Sequence, residues 1–127
     1  MIDGLFSQTN YIAAKKLLDA TVLRHEAIAS NLANIETPGY KRLDVAPAFN
    51  TELQRALSTG QRDQLAAVQP KLIVDPQAAA RGPDGNSVQL ESELAHLNQN
   101  TLAHALETQM ITGSLLRLRL AITGRAS

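Results

Sequence analysis

The 127 residues include no cysteine and no tryptophan, and only two tyrosines and two phenylalanines. The missing thiols exclude disulfides, thiol catalysis and zinc–thiolate sites. The scarcity of aromatics removes the stacking platforms on which single-stranded nucleic acids are held. An excess of one charge is also lacking, since twelve Lys and Arg balance twelve Asp and Glu. Phosphate recognition needs a concentrated positive field, so no nucleic-acid partner is expected. No apolar run approaches the roughly 18 residues of a membrane span. The opening Met1-Ile2-Asp3-Gly4 has neither a basic n-region nor an apolar h-region, so Sec export is not expected.

What is present is aliphatic and periodic. A chain of this length reads as one domain, 1–127. Its two ends carry helical spacing. The first segment, about 8–36, has a seam of Tyr11, Ala14, Leu18, Thr21, His25, Ile28, Leu32 and Ile35. The second, about 88–123, has Leu90, Leu94, Leu97, Thr101, His104, Thr108, Ile111, Leu115, Leu118 and Ile122. Both seams alternate by three and four, the repeat of a helix packed lengthwise on another helix. In the second segment the acids Glu91, Glu93 and Glu107 come early and Arg117, Arg119 and Arg125 late, which complements the helix dipole. At 1.5 Å per residue the helices are roughly 40 and 50 Å long, similar enough to pair antiparallel.

Between them, Pro38-Gly39 suits the centre of a type II turn. Residues 37–87 then lose periodicity under repeated Pro and Gly. One short helix is expected there, with Phe49, Leu53, Ala56 and Leu57 on its apolar face and Ser58-Thr59-Gly60 as its stop. Lys71-Leu72-Ile73-Val74 is a candidate strand, with Val88 to Leu90 its candidate hairpin partner. The expected fold is therefore all-α. Long N- and C-terminal helices form an extended antiparallel coiled-coil-like pair around a loop-rich middle. Leu102, Leu106, Leu116 and Leu120, with Ile12, Leu17 and Leu23, add more apolar surface than one stripe on each helix can bury. A wide uncovered apolar face marks an interaction surface, so the helices are expected to complete their core with other subunits.

Candidate chemistry is sparse. His25-Glu26 lacks the second His that a metalloprotease helix needs four residues on. His96 and His104 have no carboxylate between them at ligand spacing. His25 and His104 fall on seam positions and read as packing or register-setting polar residues. Glu91 and Glu93 read as solvated first-turn acids, and Gly82-Pro83-Asp84-Gly85 lacks the Lys of a phosphate loop. No catalytic, cofactor or metal site is expected, no small-molecule substrate either, and the chain is not expected to be an enzyme.

The informative stretch runs Asn31-Leu32-Ala33-Asn34-Ile35-Glu36-Thr37-Pro38-Gly39-Tyr40-Lys41. Two Asn inside a helix are unfavourable by propensity, and they lie three apart on one face. Two explanations stay open: fraying ahead of a turn, or amides that satisfy polar groups of a neighbouring chain. The stretch resembles the N-terminal signature of the bacterial flagellar axial proteins, in the rod, hook and hook-associated group. There, two Asn with an Ala between them precede Thr-Pro-Gly-Tyr and a basic residue. Here these are Asn31, Ala33, Asn34, Thr37, Pro38, Gly39, Tyr40 and Lys41. Gly85 to Glu91, with Glu93, Leu94 and Asn100, resembles the opening of the C-terminal helix in the proximal rod proteins of that group. The Met-rich opening seen in a sister rod protein is absent.

The resemblance implies a structural subunit of the proximal rod that stacks helically and transmits torque across the periplasm. It implies as partners further copies of the chain, other rod proteins, the rod–ring adapter, the inner-membrane ring or export gate, and the type III export apparatus. It also implies a location in the basal body without a cleaved signal peptide. The residues expected to hold helices together within and between subunits are Leu18, Ile28, Leu32, Leu94, Leu97, Ile111, Leu115, Leu118 and Ile122. A generic helical adapter outside the flagellum is the competing reading of the periodicity alone.

Overall fold

The computed structural model describes residues 2–80 and 82–124, with side chains from residue 8 onward except that of Leu118. The expectations placed on the Leu118 side chain and on Arg125 lie outside the described residues. Six elements follow one another: α1 (Ile2–Ala33), β1 (Leu43–Val45), α2 (Ala48–Thr59), α3 (Arg62–Ala67), β2 (Leu72–Val74) and α4 (Leu90–Thr123).

The two long helices form where the chain has few breakers. Neither Gly nor Pro occurs from Leu5 to Thr37 or from Asn86 to Thr112. The end of α1 is set by Pro38-Gly39. Gly39 sits at φ 74° and Tyr40 N–H donates to the Thr37 carbonyl at 3.2 Å, as a type II turn requires. At its far end α4 stops on Gly124 at φ 67°, whose N–H returns to Leu120, a left-handed cap that glycine adopts without strain.

The helices α1 and α4 run antiparallel. The Asn31 side chain meets Glu93, and ten residues earlier on α1 the Thr21 carbonyl receives the Asn100 amide. Rising numbers on one helix therefore meet falling numbers on the other. The hub is α1, which touches every other element. On one side it carries the main apolar cluster, in which Ala13 and Ala20 pack with Val45, Phe49, Leu53, Ala56, Leu65 and Val68. Their small side chains let the middle segment approach the helix closely.

The fold is mostly helical and carries one small sheet in its middle segment, in which β1 and β2 pair antiparallel with Leu43 opposite Val74 and Val45 opposite Leu72. Two expectations change. The candidate strand 71–74 is present as β2, but its partner is Leu43–Val45. Val88 to Leu90 instead leads into α4, because Val88 N–H donates to Asn86 Oδ1 at 2.7 Å and Ser87 is held by bonds described below. The middle also holds two short helices instead of one. The second, α3, is anchored by fully buried Leu65; six residues are too few to show a period. The first, α2, buries Phe49, Leu53 and Ala56 and stops at Gly60, φ 69°.

Candidate functional site

Three segments far apart in the chain meet at the C-terminal end of α1. Asn31 is fully buried there. Its amide nitrogen donates to the Leu43 carbonyl at 2.9 Å, and its oxygen accepts the Leu43 N–H at 2.8 Å. The Tyr40 hydroxyl donates to the same oxygen at 3.2 Å and bonds Ser30 at 2.8 Å. One amide thus satisfies both polar groups of a strand residue, on the edge that β2 does not occupy. Asn34 turns back to the Ser30 carbonyl and accepts from the Thr37 hydroxyl.

The segment before α4 closes the arrangement. The Asn86 amide donates to the carbonyls of Asn34, Ile35 and Thr37 at 2.9, 3.1 and 2.7 Å. These carbonyls belong to the turn that follows α1, in which Thr37 N–H also donates to Asn34 and Tyr40 N–H to Thr37. Gly39 N–H donates to the Asp84 carbonyl at 2.7 Å, Ser87 N–H to the Tyr40 carbonyl at 3.0 Å, and Arg42 N–H to the Ser87 hydroxyl at 2.9 Å. Exposed Lys41 reaches the Gly85 carbonyl at 3.3 Å. Ala33, Thr37, Pro38 and Gly39 are exposed. The helix ends at Ala33, with Asn34 in the turn beyond it. The amides do satisfy polar groups, but those of this same chain.

A buried ionic knot lies beneath. Arg42 Nε donates to Glu93 Oε1 at 2.7 Å, and its Nη1 meets Asp75 at 2.5 Å and Asp44 at 3.4 Å. The other Glu93 oxygen accepts from Asn31 at 3.2 Å. Burial alone would lower the Arg42 pKa, but the hydrogen bonds to Glu93 and Asp75 and the nearby negative charge outweigh it and raise it. Burial acts to raise the Asp75 carboxyl, yet hydrogen bonds from the Gln77 backbone and Arg42 hold it below its ordinary value. Glu93, expected as a solvated acid, has no exposed surface, whereas Glu91 is exposed. Removing one partner from such a pair costs about 3–5 kcal/mol, because the other charge stays buried.

The seam residues divide. On α1, Ala14, Thr21 and Ile28 are buried and Leu18 and Leu32 half-buried. On α4, Leu97 and Ile111 are half-buried, but Leu94, Leu115 and Ile122 are 45%, 47% and 77% exposed. The row that lies inward is Glu93, Asn100, Glu107 and Ser114, one residue before each expected position; its first two members are buried and the others half-buried. These residues are polar, so a search for apolar periodicity passes over them. Asn100 donates to the Thr21 carbonyl at 2.8 Å. Burial raises the Glu107 carboxyl above its ordinary value, against the opposing pull of Thr21, His104 and Arg24. Asn100 Oδ1 and Glu107 Oε2 are buried without a hydrogen-bond partner. Outward of this row, Leu102 is 71% and Leu106 62% exposed.

The histidines do not converge. His25 and His104 border a depression of about 350 Å³ between α1 and α4 with Glu26, Asn100 and Thr101. His96 lines a separate one with Arg42, Asp75 and Glu93, and its Nδ1 bonds the Ser92 carbonyl at 2.6 Å. Among the described residues no cluster of His, Asp and Glu fits a metal ion, and no helix is long and apolar enough to cross a membrane.

Residues 18–41 match the family described as flagella basal body rod protein. That span includes Asn31, Asn34 and Tyr40. The chain is 32% identical over 114 residues to the flagellar basal body rod protein FlgB of Aquifex aeolicus, covering 88% of this chain and 91% of that one. It is 30% identical over 115 residues to FlgB of Borrelia hermsii, covering 76% and 83%. FlgB of Escherichia coli is 27% identical over 132 residues, covering 91% and 92%.

The chain belongs to the FlgB family.

The FlgB relatives align with most of the chain, so the likeness is not confined to the turn after α1. In this FlgB-family chain the Asn-rich stretch ties α1, β1 and the approach to α4 together. Sequence reasoning missed Arg42, Asn86, Ser87 and Asn100 as members of that arrangement. The available signal was the Asn86-Ser87 pair ahead of a helix, since short polar side chains there commonly bond backbone groups.

Proposed function

We propose that this chain is a structural subunit of the proximal rod of the bacterial flagellar basal body. The observation that carries the reading is an aliphatic face of α4 left open to solvent in a chain of the FlgB family. Leu102, Leu106, Met110 and Leu116 are each about half exposed or more. Apolar area of that extent on a single helix is stabilised by burial at about 25 cal/mol per Å² when another surface covers it.

In this reading copies of the chain stack helically with one another and with other rod proteins, and the shaft transmits torque across the periplasm. The chain acts as one axial domain with no catalytic role. Its α1 and α4 pair in coiled-coil fashion, with Ile28, Leu32, Leu97 and Ile111 serving the pair and Leu94, Leu115 and Ile122 serving contacts between subunits. Further partners are the rod–ring adapter and the inner-membrane ring or export gate, reached through the type III export apparatus without a cleaved signal peptide.

The test is complementation of a strain lacking its own copy of the gene. The wild-type chain restores swimming and rod-bearing basal bodies in electron micrographs. Leu102→Ser with Leu106→Ser leaves the purified chain folded but yields basal bodies without rods. Normal rods from that variant overturn the assigned face, and failure of the wild-type chain in its native host overturns the reading.

A further inference from the structure

Glu93, Asn100, Glu107 and Ser114 recur every seven residues along α4, the spacing that keeps one row facing a neighbouring helix. Each of the first three is tied to α1 or its flank by polarity. Glu93 bonds Arg42 and Asn31, Asn100 bonds the Thr21 carbonyl, and Glu107 is drawn toward Thr21 and Arg24. The adjacent row, Leu94, Thr101, Thr108, Leu115 and Ile122, has the same repeat and is more apolar, yet every member is exposed. A turn of α4 about its own axis by about 100°, the angle of one residue, exchanges the two rows.

On hydrophobicity alone the exchanged arrangement is the better helix pair. It would turn Leu94 and Leu115 toward α1 and put two carboxylates and an amide into water. It would also strip Glu93 from buried Arg42 and the Asn100 donor from Thr21. We propose that the polar row Glu93–Asn100–Glu107 is a register selector, which fixes the rotation of α4 so that its leucine rows stay outward for neighbouring subunits. The row gives up helix-pair stability for orientation, as a single buried Asn does in a coiled coil. Asn100 Oδ1 and Glu107 Oε2, buried and unpartnered, are the visible cost. The final clause, that neighbours use the outward leucines, rests on the rod reading above; the rotation itself does not.

The absence of cysteine makes the test direct, because one introduced thiol is the only thiol. Ser114→Cys and Leu115→Cys sit side by side on α4, in the inward and outward rows. In the otherwise unchanged full-length chain the Leu115→Cys thiol is labelled by a maleimide about tenfold faster than the Ser114→Cys thiol. In an Asn100→Leu/Glu107→Leu background, which removes two poorly satisfied polar groups and should still fold, the ratio falls to about one or inverts. Gln99→Leu, at an exposed position of the same helix outside the row, serves as the control and retains the ratio. An unchanged ratio in the double-leucine background overturns the selector, as does an equal collapse in Gln99→Leu alone. Motility complementation separates the two layers. An inverted ratio with lost swimming supports both, whereas an inverted ratio with normal swimming keeps the rotation inference and overturns the use of the outward leucines.

Discussion

Asn31 pairs with both backbone polar groups of Leu43, donating to its carbonyl at 2.9 Å and accepting its N–H at 2.8 Å. A side-chain amide here does what a neighbouring strand would otherwise do, so the outer edge of β1 is closed from within the chain. The same amide also bonds Glu93 and Tyr40, which places the end of α1, the first strand and the start of α4 on one side chain.

Asn31→Ala should therefore destabilise strongly. It leaves two buried backbone groups of Leu43 without their partner, at about 2–5 kcal/mol in total, a large share of a typical domain's stability. Urea denaturation followed by circular dichroism measures it. A loss below about 0.5 kcal/mol, the usual effect of a surface change, would mean that the paired bonds contribute little.

The Arg42–Glu93 pair should show strong coupling. Glu93→Ala leaves a buried guanidinium and costs about 3–5 kcal/mol, while Arg42→Met with Glu93→Leu costs far less than the two single changes added. A double-mutant cycle in urea reads the coupling directly, and simple additivity would show that the pair is not the unit described.

Asn86→Ala should act on the turn that ends α1, with its first partner Asn34 52 residues away. It frees carbonyls of Asn34, Ile35 and Thr37, so amide exchange at the last turn of α1 speeds up about tenfold or more while the middle of α1 is unchanged. Uniform acceleration along α1 would instead indicate global destabilisation.

Two carboxyls predict opposite pH behaviour. Glu107 has a raised pKa in the folded chain, so folding favours its protonated form, and the stability it adds at low pH is lost as pH rises through the folded value. Asp75 is lowered, so its contribution is present above the ordinary carboxylate pKa and is lost as pH falls through the folded value. Thermal melts at about pH 2.5 and about pH 7 separate them. Glu107→Gln raises the melting temperature more at neutral pH than in acid, and Asp75→Asn lowers it more at neutral pH. Equal shifts at both pH values would remove the titration argument for either residue.

Much of the architecture was legible because it rests on spacing. The two end helices, the stop at Pro38-Gly39, the apolar face of Phe49, Leu53 and Ala56, and the strand at Leu72–Val74 all follow from local chemistry. What escaped was long-range and polar. The inward face of α4 could not be found from apolar periodicity, since Glu93, Asn100 and Glu107 form it and Leu94 and Leu115 lie beside it. Asn31 and Asn34 stood out as anomalous for a helix, but the identity of their partners depended on where Leu43 and Asn86 arrive in space. β1 is three residues long and includes Asp44, too little for any strand pattern, and it is held by Asn31 at Leu43 on one edge and by bonds of Arg42 and Ala46 to Asp75 and Lys71 on the other.

The pairing of Val45 with Leu72 sets the two ends of residues 46–71 next to each other, as on the rim of a socket. A segment mounted on such fixed posts can change length without altering how far the posts must be brought together. Residues 46–71 are thus the place where this scaffold tolerates grafting: a foreign module with closely spaced ends could replace α2 and α3, leaving the bonds among Asn31, Arg42, Asn86 and Glu93 untouched. Such a graft removes Phe49, Leu53, Ala56, Leu65 and Val68 from the main apolar cluster, so it must bring an apolar face of its own to cover Ala13, Ala20 and Val45.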